Sequence, residues 1–345
     1  MSYNVENLFD TVHDEGKKDW EYLPRLYPGK KEACHLETNS YFRKKCLETD
    51  WTSTKLDWKI QNIKKVVNSA FLTGLPDILG LVEVENESVV STLAMALGYK
   101  GIVVSNGPDK RGIDVALLYR PSEQLRFIST QTHIIQGEGL SKPTRPILEV
   151  NFLILEKFPL TIYVNHWPSQ GSKSPARMLA AKILVNALKL KKSSHQNHSL
   201  IALGDFNVIP KDFPHPFHSL LYQKSSAQLS DIRDLFYKSK TTRSEQKLAT
   251  PIGSYFYARD MTWNQLDRIF ISQDLHDGKG PELVRNSYRI LSPKAISRPY
   301  IYRKRGSYHD GSYIEGVPYR MNMKAKVLSE FGFSDHFALL AKFKF

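Results

Sequence analysis

Cysteine is almost absent from this chain: only Cys34 and Cys46 occur among 345 residues. No second Cys/His pair accompanies them, which argues against a zinc site. A disulfide in an exported protein and two free thiols in a cytosolic one both fit. No apolar run reaches the ~18 residues that a membrane span requires, so no transmembrane segment is expected. The opening residues lack the basic, apolar and small-residue succession of a signal peptide. Met1-Ser2-Tyr3 already lies in a strand-like run, however, so a precursor extending upstream, and with it export, stays open. No period of 20 to 50 residues is visible, which excludes the repeat architectures.

What is present belongs to an ordinary soluble globular protein, with 41% hydrophobic and 24% charged residues. The length suffices for a large core. Net charge is +13, which favours a polyanionic partner such as nucleic acid or an anionic membrane surface over a merely basic exterior.

Along the chain, residues 1–8 read as a buried strand. Residues 10–57 are polar and aromatic without sustained periodicity, and longer than connections inside compact domains usually are, so they read as a lid or surface insertion. Ile60, Ile63, Val67 and Phe71 give helical spacing over residues 55–72, and residues 88–97 give a short helix stopped by Gly98. Strands are expected at 78–84, 101–105, 114–119, 125–132, 147–155, 160–165, 199–203, 254–257, 265–272 and 337–345. Ser174-Pro175 supplies an N-cap and a first-turn proline for a helix to about residue 192. The layout implies two packed sheets with helices outside, in a single domain over residues 1–345.

Polar signals recur where apolar runs end. Asn4 and Glu6 lie in SYNVEN, Glu83 in LGLVEVEN, Asn165 and His166 in YVNHWPS, Asp205 and Asn207 in LGDFN, Asp267 in QLDRIFIS, and Asp335 and His336 in FSDHFAL. Each alone is weak, since strand ends carry Asp or Asn for turn chemistry. Strand ends that deliver acids, amides and histidines together describe a hub for a hard cation and for hydrolysis of a phosphate.

Taken in order, these six motifs resemble the endonuclease/exonuclease/phosphatase superfamily, which includes deoxyribonuclease I, apurinic endonucleases, sphingomyelinases and inositol-polyphosphate 5-phosphatases. The resemblance spans residues 2–345. It implies a deoxyribonuclease I-like, four-layer αββα sandwich with the active site at one end of the paired sheets. It also implies that Asn4, Glu6, Glu83 and Asp335 hold or orient a metal, with Glu83 the principal ligand. Asp205, Asn207, Asp267, His166 and His336 are the implied catalytic set. His166 falls where some members carry a histidine and the apurinic endonucleases do not.

The chemistry requires such residues. A phosphodiester is anionic, so its charge must be neutralised before water attacks. Carboxylate and amide oxygens suit Mg²⁺, with Mn²⁺ or Ca²⁺ as alternatives. Asp205 is the candidate to orient or deprotonate the water, Asn207 to bind a non-bridging oxygen, and His336, supported by Asp267, to donate to phosphate as imidazolium. His166 is a second phosphate donor or the acid for the leaving group. Asn165, Arg111, Arg303 and Arg305 are the candidate substrate contacts, with a solvated turn the competing reading for Arg111.

Five tyrosines and five basic residues, Arg298, Arg303, Lys304, Arg305 and Arg320, crowd residues 298–320 against Asp310 and Glu315. This reads either as a track for stacked bases and phosphates or as a packing loop over a sheet end. The expected function is a metal-dependent phosphodiester hydrolase, a nuclease acting as a monomer. The alternative is a phosphatase or phospholipase C-like hydrolase of a small phosphoester or lipid head group. A binding module that has lost the chemistry is disfavoured, because every carboxylate is present.

Overall fold

The computed structural model describes residues 1–71, 74–194, 198–223, 228–238, 253–284, 286–303, 307 and 309–345. The strands in chain order begin with β1 (Ser2–Leu8), followed by helices α1 (Lys30–His35), α2 (Ser40–Glu48) and α3 (Ser53–Asn68). Next come β2 (Ile78–Val84), α4 (Glu87–Leu97), β3 (Gly101–Val104), β4 (Asp114–Tyr119), β5 (Leu125–His133), β6 (Ile147–Ile154) and β7 (Phe158–His166). Helix α5 (Ser174–Ser194) leads to β8 (Ser199–Asp205), β9 (Ser230–Asp231) and α6 (Ile232–Lys238). The remainder is mostly short strands: β10 (Tyr255–Tyr257), β11 (Thr262–Asn264), β12 (Asp267–Ile271), β13 (Glu282–Leu283), β14 (Arg289–Leu291), β15 (Ser297–Ile301) and β16 (Tyr313–Pro318), then a one-turn helix α7 (Leu328–Phe331), β17 (Ala338–Leu340) and β18 (Phe343–Lys344).

Two six-stranded sheets form, in the orders β14-β17-β1-β2-β4-β3 and β5-β6-β7-β8-β12-β9. Each contains a parallel pair, β1–β2 in the first and β7–β8 in the second. Parallel neighbours need a crossover, and α3 and α5 lie within those two crossovers. Period-two alternation then assigns the faces. Ile201 and Leu203 of β8 and Ile269 and Ile271 of β12 belong to the main core, shared with first-sheet residues Leu79, Leu81 and Val115. Leu200, Ala202 and Phe270 face the other way, onto Ala180, Leu184 and Leu188 of α5. Residues Ile63, Val66 and Val67 of α3 and Val90 and Leu93 of α4 join the first sheet. The result is the expected deoxyribonuclease I-like αββα sandwich.

The sequence expectations need three amendments. The last strand is interrupted: Ala338–Leu340 pairs with β1 and β14, whereas Phe343–Lys344 pairs with β13. Residues 10–57 are more ordered than their lack of periodicity suggests. Helices α1 and α2 are too short to show a stripe, and they are joined by a Cys34–Cys46 disulfide. Asn39 caps α2, accepting from the amides of Tyr41 and Phe42. The buried Lys30 ammonium donates to Leu23 O and Thr49 O at 2.7 and 2.9 Å, closing the segment on itself. Finally, residues 298–301 and 313–318 are an antiparallel pair, β15–β16, in which Arg298 lies over the Tyr319 ring. Arg303 is exposed, and Lys304, Arg305 and Tyr308 lie outside the described residues. No helix among the described residues is long and apolar enough to cross a membrane.

Candidate active site

The second sheet places three groups by plain register. Asp205 is the Cα partner of His166 on β7 and of Asp267 on β12. All three share the parity of Ile201, Leu203 and Ile269, so they project toward the first sheet. The strands come close at this point because residue 204 is glycine. It sits at φ +126°, and a Cβ would run into the Asn165 carbonyl.

The first sheet places its groups by irregularity. The β1–β2 register slips between Asn4 and Leu8, and the β2–β4 register slips between Val82 and Val84. Glu83 is the bulged residue, with φ +66°, and Glu6 and Asn7 sit at +52° and +64°. Non-glycine residues adopt this left-handed region only at a cost, and bulges serve to re-aim a side chain. Here Glu83 is turned toward the facing sheet. Asn4 Nδ2 bridges the two sheets, donating to Glu83 Oε1 at 3.1 Å and Asp205 Oδ2 at 3.2 Å.

Around this bridge the groups meet. His166 Nε2 stands 3.8 Å from Glu83 Oε1 and 4.0 Å from Asp205 Oδ2, too far for hydrogen bonds. His336 Nδ1 and Asp267 Oδ2 are 2.7 Å apart, and His336 Nε2 faces Asp205 Oδ2 at 3.9 Å and Asp335 Oδ1 at 3.8 Å. The remaining Asp267 oxygen is buried and has no hydrogen-bond partner among the described residues. Ser334 Oγ donates to Asn4 O and accepts from His336 N–H, fixing the last motif on β1.

Burial and charge set the protonation. Burial pushes the Asp205 carboxyl up to about 7; His336 pulls against it, and Asp267 and Glu83 add repulsion. Burial likewise pushes Glu6 up to about 7, reinforced by Asp335 and opposed by Arg320 and Lys59. For His336 burial works downward, but Asp267, Asp335 and Asp205 outweigh it and hold the imidazole well above its usual value. His166 is driven the other way by burial, then by Arg145 and Arg111, and is neutral. The two histidines are therefore one imidazolium and one neutral ring.

The donor set suits a cation. Glu83, His166 and Asp205 each offer an atom, and these lie within 4.8 Å of one another without bonding directly. Ligands at 2.0 to 2.6 Å from a shared ion stand at about such separations. Glu6 and Asp335 form a second acidic pair beside it, joined by Arg320 at 3.1 and 3.6 Å, with Met321 N–H donating to Glu6 at 2.6 Å.

Some expected residues are placed elsewhere. Asn165 is fully buried; its amide donates to Tyr163 O and Leu203 O and accepts from Trp167 Nε1, so it is not presented to the hub. Asn207 stays at the hub's edge. Its backbone N–H donates to Asp205 Oδ1 at 2.9 Å and its Nδ2 to Trp167 O at 3.1 Å. Arg111 is largely exposed beside Asp109 at 3.6 Å. Arg177 is a buried clamp on Asp212 and on the carbonyls of Pro168, Ser169 and Ser172, holding the loop after β7. Sequence reading missed Arg320 as part of the hub, and Arg145, which is buried and donates to Trp167 O with its Nε unpartnered among the described residues. Neither carries a local signal. Arg320 lies within a basic run, and Arg145 stands alone before a strand.

The profile of the Endonuclease/Exonuclease/phosphatase family matches residues 1–344. The chain belongs to that family. Among solved structures, a Bacteroides vulgatus endonuclease/exonuclease/phosphatase is 13% identical, with a TM-score of 0.53, covering 84% of this chain and 90% of its own. D. rerio TDP2 complexed with a single-strand DNA product is 14% identical, at 0.52, covering 85% and 94%. A Bacteroides thetaiotaomicron mannosyl-6-phosphatase is 15% identical, at 0.51, covering 100% and 98%. No curated protein sequence matches. This family member is thus a phosphoesterase-fold hydrolase whose two sheets meet at an acid- and histidine-lined site.

Proposed function

We propose that this family member is a metal-dependent phosphodiester hydrolase, acting on nucleic acid through one catalytic domain built from both sheets. The observation that carries the reading is the convergence of Glu83, His166 and Asp205 within 4.8 Å of one another, beside the His336–Asp267 pair. Glu83, with Glu6 and Asp335 beside it completing or orienting the shell, would hold a Mg²⁺ or Mn²⁺ ion, which would supply Lewis-acid polarisation of a phosphoryl oxygen. Asn4 bridges Glu83 and Asp205 by donating to both. Asp205 in its ionised form accepts the proton of the attacking water, and His336, whose Nε2 lies 3.9 Å away, donates to the phosphate as imidazolium. Asp267 orients the His336 ring and supports its positive charge by accepting the Nδ1–H hydrogen bond. His166, neutral and buried, faces Glu83 and Asp205 with Nε2 and would serve the leaving oxygen through that nitrogen.

The charge of +13 supports a polyanionic substrate, and one structural neighbour holds a DNA product. A second reading, hydrolysis of a small phosphomonoester, is supported by the full-length likeness to a sugar phosphatase. Purified protein with Mg²⁺ or Mn²⁺, with and without EDTA, should be assayed against single-stranded DNA, plasmid, RNA and mannose 6-phosphate. Cleavage of DNA or RNA that EDTA abolishes is the expected result. Turnover of the sugar phosphate alone establishes the second reading, and turnover undiminished in excess EDTA removes the metal.

A further inference from the structure

Helix α3 carries a polar stripe that faces protein. Lys55, Lys59 and Asn62 recur at i, i+4 and i+7, one face of a helix, and Lys59 and Asn62 are buried. All three donate to carbonyls of one loop: Lys55 Nζ to Met323 O at 2.8 Å, Lys59 Nζ to Phe333 O at 2.8 Å, and Asn62 Nδ2 to Gly332 O at 2.6 Å. The loop is closed at its neck, where Phe333 N–H donates to Tyr319 O at 2.6 Å. Gly332 lies at φ +80°, and a Cβ there would run into Arg320 O, so the neck is as tight as backbone permits. From this neck Arg320 and Met321 N–H reach Glu6, and Asp335 follows two residues later.

A fully buried ammonium is costly unless its surroundings compensate it. For Lys59, burial lowers the pKa to about 8, and Glu6, Asp335 and Glu83 work against that shift. The side chain touches none of the reacting groups. It lies behind them, bonded to the segment that delivers them.

The geometry points to Lys59, seconded by Asn62, as a positioning residue that pins the neck of the 319–333 loop to α3 and so fixes Glu6 and Asp335 for cation binding. The cation part rests on the metal-dependent reading above; the pinning does not. Lys59→Met, Lys59→Arg and Asn62→Leu separate the two. In metal-free protein, Lys59→Met should speed hydrogen exchange at the Met321 and Phe333 amides by about tenfold or more, and Asn62→Leu by less, the charged bond being the stronger. Mn²⁺ binding, followed by electron paramagnetic resonance, should weaken by about tenfold in Lys59→Met. The Mg²⁺ needed for half-maximal activity should rise in step, while kcat at saturating metal changes little. Lys59→Arg, which keeps a cationic donor, should restore most of the Mn²⁺ affinity. Unchanged exchange at both amides in folded Lys59→Met, or in Asn62→Leu should Lys59→Met not fold, overturns the pinning. Faster exchange with unchanged Mn²⁺ affinity overturns the link to the cation. A wild type that binds no Mn²⁺ defeats the metal reading instead, and the exchange result still decides the clamp.

Discussion

The β1–β2 and β7–β8 pairs are both parallel, both cross over through a helix, and both present functional groups at their carboxyl ends. They do so by different means. On β7–β8 the ladder is unbroken through His166↔Asp205, so the side chains are aimed by strand parity alone. On β1–β2 the ladder is interrupted, and Glu6, Asn7 and Glu83 are held at positive φ. Such conformations cost roughly 1 kcal/mol or more apiece, and they persist where the surroundings over-determine them. Met321 N–H and Arg320 supply that for Glu6, and Asn4 for Glu83. The regular half carries Asp205, the proposed base, and the irregular half carries Glu83, the proposed principal ligand, so the donor cluster of Glu83, His166 and Asp205 draws on both.

The largest expected effect tests this division. Asp205→Asn should lower kcat by about 10²- to 10⁴-fold, the usual worth of a positioned acid or base, because the amide cannot take the water's proton. The ladder does not depend on the carboxylate, so circular dichroism and the melting temperature should change little. A variant within tenfold of wild type would transfer water activation to Glu83 and reverse the assignment of the two halves.

Next in size are the histidines. His336→Ala should cost more than His166→Ala, since the first is an imidazolium facing Asp205 and the second is neutral and buried. Asp267→Asn should fall between them, because it leaves His336 in place without its charge partner. Steady-state kinetics in which His166→Ala is the worse variant would make His166 the principal donor.

The pH profile comes next. Asp205 titrates at about 7, above its ordinary 3.8, and must be ionised to act as a base, so activity should fall as pH drops through that range. A bound cation favours the ionised form and moves this limb lower. His336 has a folded value raised well above 6.5, so its contribution to stability is complete below about 6.5 and is lost as pH rises through the folded value. An alkaline loss of activity should follow and be absent from His336→Ala. A wild-type profile with no acid limb anywhere below pH 7 would contradict the role given to Asp205.

The same contrast explains what could be read in advance. The regular half was legible: β8, β12 and their terminal acids follow from apolar runs that end in polar residues, and period two puts them on one face. Glu83 was legible as a residue, but its bulge was not, because a register slip depends on the partner strand. Asn165 shows the converse error. It adjoins His166 in sequence, yet strand parity points it to the opposite face, where Tyr163 O and Leu203 O take its amide. Arg320 and Lys59 reach the site across sequence separations of 314 and 274 residues to Glu6 and Phe333, and no local pattern encodes that.

The smallest effect concerns the segment packed on the irregular half. Trp51 Nε1 donates to Phe9 O at 3.1 Å, just beyond β1, and the Trp51 ring lies 6.2 Å from that of Phe331. The Cys34–Cys46 bridge closes a short loop in the same segment, with 12 residues of separation. Chain-entropy arguments assign a loop of this size about 3 kcal/mol, less whatever order Lys30 and the Asn39 cap retain without it. Cys34→Ser/Cys46→Ser should therefore lower the melting temperature by several degrees. The catalytic groups of β7 and β8 do not touch this segment, so kcat at saturating metal should stay within about twofold. Any loss should appear as a higher metal requirement, through Glu6 and Glu83. A double variant that loses kcat while keeping its metal requirement would show that the regular half also depends on the segment, and the two halves would then not be separable.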